Sequence, residues 1–331
     1  MIKNNETGTK QIPLFFIIGR ARSGTTLLRT LFDAHPNVKI PIEAPVIMQM
    51  NKKYGKITEW TKGLLLEFYD DLLRVKDFNK WEIDEEKLKS ELLKHEGQSN
   101  FKQLINTIYL NSPTIFRKEK IMLLGDKNPI YSISIKNLFK LYPEAKYIHL
   151  KRDHRAHIVS MQKAGLYATD IVALAFRWKY SANKLSNLKG KCPDSFFSLR
   201  YEDLVNAPEK HLQGICTFLN IPFCPEVINY HELTNELYNT KLENTIEEHH
   251  KRVFKPIDAS RVDSWKNEMS KANIKIADYV VGRWAEKEGY ERQFTKFPFS
   301  LKIKVFPAIL YQRLFYAYRY IYHKLPAVFR K

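Results

Sequence analysis

The stretch Leu14-Phe15-Phe16-Ile17-Ile18-Gly19-Arg20-Ala21-Arg22-Ser23-Gly24-Thr25-Thr26-Leu27-Leu28-Arg29 decides how the rest of the chain is read. A short apolar run bounded by glycine reads as a buried strand, and Leu27 to Phe32 continues with helical character. Between them Gly19 and Gly24 let the backbone turn tightly. The amides at the helix start then point at an anion, and Ser23, Thr25 and Thr26 add hydroxyl donors. This is a phosphate-binding loop in form. The nucleoside-triphosphatase pattern GxxxxGK[ST] requires Lys where this chain has Thr25, which disfavours ATP or GTP turnover. The cation stands instead at Arg22, before the second glycine.

Working outward, Ile121–Leu124, Tyr147–Leu150 and Phe196–Leu199 are further short apolar runs, each followed by a helix-like segment. Strands alternating with helices imply right-handed crossovers onto a parallel sheet. The expected fold is α/β, a P-loop-like doubly wound parallel sheet flanked by helices. Between the first two runs, residues 56–110 carry Trp60, Leu64, Leu65, Phe68 and Leu72 at helical spacing, which predicts a helical insertion able to form a substrate lid. No repeat or linker divides the chain. The expected plan is a polar N-terminal segment (1–11), one domain (12–295) and a basic amphipathic tail (296–331).

Composition narrows the function classes. With 331 residues, 44% of them hydrophobic, the chain is neither a disordered tail nor a collagen nor a disulfide-stapled miniprotein. Cys192, Cys216 and Cys224 form no CxxC pair and no Cys/His cluster at zinc spacing, so no metal site is expected and the thiols read as reduced. The apolar run from Ile12 to Ile18 is too short for a signal sequence or a membrane span, which predicts a cytoplasmic protein, peripheral at the inner membrane surface if the tail binds there.

The balance of 54 Lys+Arg against 36 Asp+Glu gives a net charge of +18 and favours anionic partners. Eight of the basic residues, and no acidic one, fall in 296–331. There Leu310, Leu314, Ala317 and Ile321 share one helical face and Gln312, Tyr316, Arg319, Tyr320 and His323 the other, as in a helix lying in an anionic membrane interface. The alternative is a terminal helix packed on the body or on a second copy, as in a homodimer. No helix-turn-helix, zinc-finger or RNP pattern supports specific binding of nucleic acid.

The loop, with Asp33-Ala34-His35-Pro36 and Glu43 after it, resembles the sulfotransferase superfamily that uses 3'-phosphoadenosine 5'-phosphosulfate (PAPS), most closely the tyrosylprotein sulfotransferases and their bacterial relatives. The likeness runs from about Pro13 to Tyr290 through Asp126-Lys127-Asn128-Pro129, Arg152-Asp153-His154-Arg155 on to Ser160, Arg200-Tyr201-Glu202-Asp203, and Val253-Phe254-Lys255-Pro256 on to Trp265. It implies that Arg20, Arg22, Ser23, Gly24, Thr25 and Thr26 hold the cofactor, that Arg152 and Ser160 take its 3'-phosphate, that Tyr201 contacts the nucleotide, and that Lys255 belongs to a loop folding over it. One position departs: the transition-state Ser of the tyrosylprotein group, just upstream of that loop, is His249 here.

The residues read by themselves agree. Tyr147 to Leu150 is a strand with a basic exit, Asp153 is a good N-cap, and a basic strand end beside a helix N-terminus is a second anion site. Asp203 reads as a cap for the turn after Tyr201, and Arg155 as doubtful for binding.

Sulfuryl transfer needs a base for the acceptor's hydroxyl proton and cations for charge on the departing group. Glu43 is the candidate base and aligns with the catalytic glutamate of the tyrosylprotein group; Arg22 and Lys127 are the candidate cations, and turnover without a metal is expected. His35 reads as structural, and His249 and His250 as contributors near the reacting sulfur. The acceptor is expected to be a lipid, sterol, glycan or phenol/peptide hydroxyl. The competing readings are a P-loop small-molecule kinase, against which Thr25 stands, and a basic membrane- or nucleic-acid-binding protein without catalysis.

Overall fold

A computed structural model describes residues 11–165, 170–232 and 255–324. Its strands are β1 (Leu14–Ile18), β2 (Val38–Lys39), β3 (Glu59–Trp60), β4 (Gly97–Gln98), β5 (Leu123–Lys127), β6 (Lys146–Lys151) and β7 (Phe196–Arg200). The helices named below are α1 (Thr25–Ala34), α2 (Val46–Tyr54), α3 (Lys62–Leu73), α4 (Glu85–Leu93), α5 (Phe101–Asn111), α6 (Tyr131–Leu141), α7 (His154–Lys163), α8 (Ile171–Lys189), α9 (Tyr201–Asn206) and α10 (Pro208–Leu219).

β1 is buried along its whole length, and its pleat divides the interior. Leu14, Phe16 and Ile18 enter one apolar cluster, while Phe15 and Ile17 enter another. A strand apolar on both faces needs cover on both, which a parallel sheet obtains from its crossover helices. The sheet is accordingly all parallel, in the order β2-β5-β1-β6-β7. The doubly wound α/β arrangement expected from the apolar runs is the one observed.

Two details differ from the expected elements. β2, of two residues, is too short to show a period and was not anticipated. β5 runs on to Lys127, past the expected end at Leu124, because its polar residues are accommodated inside the fold. Gly125 lies where a Cβ would meet Phe15 and Ile40 at 2.8 Å, and the Asp126 carboxylate accepts hydrogen bonds from the Tyr109 and Tyr131 hydroxyls.

The insertion contains α3, α4, α5 and the small β3–β4 pair. Its Trp60, Phe68, Leu72, Leu104 and Ile108 join Phe16 and Tyr147 in one cluster, so it covers a face of the sheet. The turn from Lys76 to Glu82 reaches the cleft described below. A third cluster ties α7 and α8 to the helix Lys271–Val281 and to Val305 of the last helix, Phe299–Lys324.

Candidate active site

In this strand order the chain leaves β1 toward the β2 edge, and later crosses from β5 to β6 on the other side of β1. Ligands of such sheets bind at the carboxyl ends of the strands where that reversal occurs. Here the register sets Ile17 beside Lys127 and Ile18 beside His149, so the loop after β1 opens between the ends of β5 and β6. A cleft of ≈1940 Å³ lies at this point, and basic residues on its walls outnumber acidic ones by more than two to one.

The loop's conformation explains its glycines. A Cβ on Gly19 would lie 2.8 Å from the Leu150 carbonyl oxygen and 2.6 Å from Thr25 Cγ2. Gly24 has φ +86°, and a Cβ there would enter the ring of Tyr201. Arg22 also has positive φ (67°), an uncommon state for a residue with a side chain. α1 then begins at Thr25 with no side-chain cap and no acidic residue in its first turn. Among the described residues, the amides of Thr25, Thr26 and Leu27 find no protein acceptor.

Around the loop the cations are crowded. The Arg22 Nε donates to Ser160 Oγ at 3.3 Å, and the Arg152 guanidinium donates to the Arg22 carbonyl oxygen at 2.8 Å while lying 4.7 Å from the centre of the Tyr201 ring. Neither guanidinium is paired with a carboxylate among the described residues, and Arg152 Nε is buried without a hydrogen-bond partner. Burial, and then the neighbouring charge of Arg152, lower Arg22 from the ordinary guanidinium range. Two like charges held together with no carboxylate on either among the described residues favour an anion as their counter-charge.

Glu43 and Lys127, which come from two distant motifs, form an ion pair on the wall of the cleft. Lys127 Nζ, almost wholly buried, lies 2.5 Å from Glu43 Oε2 and 3.4 Å from Thr26 Oγ1. The Glu43 side chain keeps 39% of its surface exposed to the cleft. α1 places it: Asp33 Oδ1 accepts from the Ile40 amide at 3.1 Å, and Arg29 donates to the Ile40 carbonyl at 3.2 Å. Asp33 is itself held by the Thr114 hydroxyl at 2.9 Å and by Lys118 at 3.4 Å. The Asp33-Ala34-His35-Pro36 motif is therefore structural support for Glu43. His35 fits the same account, with Nε2 on the Pro222 carbonyl and Nδ1 accepting from the Asn37 amide.

The other expected site residues divide. Arg20, Arg22, Gly24, Thr25, Thr26, Arg152, Ser160, Tyr201 and Lys255 line the cleft with Glu43 and Lys127, whereas Ser23 is buried and is not on its wall. His249 and His250 lie outside the described residues. Asp203 does not cap the turn after Tyr201; it sits inside α9 and binds Arg200 through both carboxylate oxygens, at 2.6 and 2.8 Å.

Arg155 is structural. It forms a fork on Asp153 at 2.7 and 3.0 Å, with its guanidinium 3.8 Å from the centre of the Trp265 ring. Asp153 caps α7 as expected, accepting from the Arg155 amide at 2.8 Å. Burial alone would raise the Asp153 carboxyl, but the Arg155 hydrogen bonds and the charges nearby hold it below its ordinary value. Asp153 takes an amide of that helix terminus, and of the second anion site expected from the sequence the Arg152 and Ser160 side chains are the parts that line the cleft.

The sequence reading missed Arg29, one helical turn after Thr25, and the whole wall formed by Arg177 and Tyr180 of α8 with Phe315, Tyr316 and Arg319 of the last helix. Tyr316 stacks on Tyr180 with ring centroids 4.2 Å apart. Only the spacing of Thr25 and Arg29 signalled the first of these; nothing local signalled the second.

The profile of the sulfotransferase family matches residues 13–225, and the chain belongs to that family. Among curated relatives it is similar to "Protein-tyrosine sulfotransferase 1" of Danio rerio, 27% identical over 77% of this chain and 66% of the relative, so it spans just under two thirds of that protein. It is also similar to a "Putative protein-tyrosine sulfotransferase" of Caenorhabditis briggsae, 24% identical over 87% of this chain and 92% of the other. Of solved structures, "Sulfotransferase Domain from the Curacin Biosynthetic Pathway" aligns with TM-score 0.54 at 21% identity, covering 85% of this chain and 99% of that one, a likeness of fold.

Proposed function

We propose that the chain moves a sulfuryl group from PAPS to an acceptor hydroxyl, with Glu43 as the base. The observation that carries this reading is the presence, on the walls of one cleft, of the Glu43–Lys127 pair and of two arginines, Arg22 and Arg152, that have no carboxylate partner among the described residues. The residues suit the donor: α1 offers uncapped amides, Arg152 and Ser160 offer side-chain donors for a further phosphate, and Tyr201 offers a ring face beside Gly24. When bound, PAPS supplies an activated sulfuryl group and a phosphorylated nucleotide leaving group.

The chain's own residues then divide the work. Glu43 lines the cleft with one carboxylate oxygen on Lys127, and in this reading its other oxygen takes the acceptor's proton. Lys127, fixed by Glu43 and close to Thr26, carries positive charge to where negative charge gathers on the bridging oxygen. Arg22 adds a second cation from the loop. These cations do what a divalent ion does for phosphoryl groups, so the expected turnover is independent of added Mg²⁺. The acceptor is proposed to be a hydroxyl of a lipid, sterol, glycan or phenol, a peptide tyrosine included, since the cleft is wide enough for any of these.

Calorimetry of adenosine 3',5'-bisphosphate and of ADP without Mg²⁺ tests the donor site. The parent is expected to prefer the bisphosphate, and Arg152→Ala to remove that preference. Equal binding of the two nucleotides, or ADP binding only with Mg²⁺, would overturn the proposed donor site. With labelled PAPS and a panel of phenols, Glu43→Gln should lower turnover by about 10²- to 10⁴-fold and leave bisphosphate affinity unchanged.

A further inference from the structure

The helix Phe299–Lys324 uses only part of its circumference to join the body. Val305, Gln312 and Tyr316 are buried against the rest of the chain, with Tyr316 stacked on Phe176 and Tyr180 of α8. Phe299, Ile303, Phe306, Leu310, Leu314 and Ile321 recur every three, four or seven residues on the opposite side, which is the repeat of one helical face. All six are exposed, from 41% at Leu310 to 75% at Phe299. Of the faces expected from the sequence, Leu310, Leu314, Ala317 and Ile321 are turned outward and Gln312 and Tyr316 inward, while the side chains of Tyr320 and His323 lie outside the described residues.

A continuous apolar stripe on a protein surface needs an occupant. The charge around this one selects it. Lys302, Lys304 and Arg313 are exposed on the same helix, Tyr311 and Tyr318 flank the stripe, and 296–331 contains no acidic residue. Two copies of such a helix would bring like charges together, whereas an anionic lipid surface accepts the stripe and the lysines at once. The interfacial preference of Tyr fits the same placement. No helix among the described residues is long and apolar enough to cross a membrane, which leaves lying in the interface.

We propose that the chain docks on an anionic bilayer through this stripe, with the six apolar side chains in the headgroup layer. The opposite side of the same helix carries Tyr316 and Arg319 on the wall of the cleft, so docking sets the cleft one helix diameter from the lipid surface. The chain would then meet acceptors at that surface. The docking itself does not depend on the reaction proposed above.

The test is co-sedimentation of the full chain with vesicles of phosphatidylcholine alone and with about one third phosphatidylglycerol. The parent is expected to pellet with the anionic vesicles and to be released by high salt. Leu310→Gln with Leu314→Gln, both on the exposed side, should lower the bound fraction at least about tenfold at equal lipid, with bisphosphate affinity unchanged as the check on folding. Unchanged partitioning of that variant, or failure of the parent to bind either vesicle, overturns the proposal. So does a parent dimer in sedimentation velocity that the same variant splits without any vesicle binding, since a second copy would then cover the stripe. Loss of bisphosphate binding in the parent would count against the donor site and not against docking.

Discussion

The turn after β1 and the turn after β6 lie at the ends of neighbouring parallel strands, and each leads straight into a helix, yet they treat the helix start in opposite ways. α1 begins behind Gly24 with no side chain on its first amides. α7 begins behind Asp153, whose carboxylate takes the Arg155 amide and both arms of the Arg155 guanidinium. The partial positive charge of a helix N-terminus is the same in both places. In one the first amides meet no protein acceptor among the described residues, and in the other a carboxylate of the chain accepts from one of them. A strand, a basic turn and a helix are therefore not enough to define an anion site; the capping residue decides.

Substitutions that exchange the two roles should separate stability from binding. The largest effect is expected from Asp153→Ala, which strands the buried Arg155 and removes the cap, at a cost of about 3–5 kcal/mol in urea unfolding. Bisphosphate affinity of the folded fraction should stay near the parental value; a collapse of affinity with stability intact would make that turn a ligand site. Gly24→Ala should do the reverse. Its Cβ pushes the Tyr201 ring and Arg152 with it, weakening nucleotide binding by about 1–3 kcal/mol in calorimetry, roughly 5- to 150-fold.

Arg152→Lys keeps the charge but loses the planar fork and the ring contact, so an affinity loss of about tenfold is expected, confined to nucleotides with a 3'-phosphate. The smallest effect is in pH. Because the Asp153 carboxyl is held below its ordinary value, its contribution to stability is complete above the unfolded carboxylate range and is lost as pH falls through the folded value. Asp153→Asn should therefore flatten the acid limb of the stability curve by up to about 1.4 kcal/mol per pH unit, while changes in the loop after β1 leave that limb alone.

What could be read in advance follows the range of the interactions. The loop from Gly19 to Thr26 was legible because a strand, two glycines and a helix are local features. The capping by Asp153 was legible for the same reason, but that the same carboxylate also takes the Arg155 guanidinium was not. Glu43 and Lys127 were each identifiable, and the sheet order is what brings them to 2.5 Å. The part played by Asp33 depended on Thr114 and Lys118, far away in the chain, and no spacing reveals such partners. Ser23 was grouped with its hydroxyl neighbours by type, though the turn points it into the interior. The wall of Arg177, Tyr180 and Tyr316 joins two helices remote in sequence, and each alone reads as an ordinary amphipathic helix.

The hold of α1 on Glu43 through Arg29 and Asp33 has a consequence for how this protein can change. The same ten-residue helix begins at the loop after β1 and holds Ile40, three residues before Glu43, so on the reading proposed above the donor loop and the base hang on one rigid lever. Their separation cannot drift without moving the helix, and moving the helix would break β1's packing beneath it. On the same reading, diversity of acceptor would be generated by the other parts of the cleft wall, α8, the Lys76–Glu82 turn and the last helix, where substitutions leave the lever untouched. Among relatives, chemistry should be inherited with α1 and acceptor choice with those outlying elements.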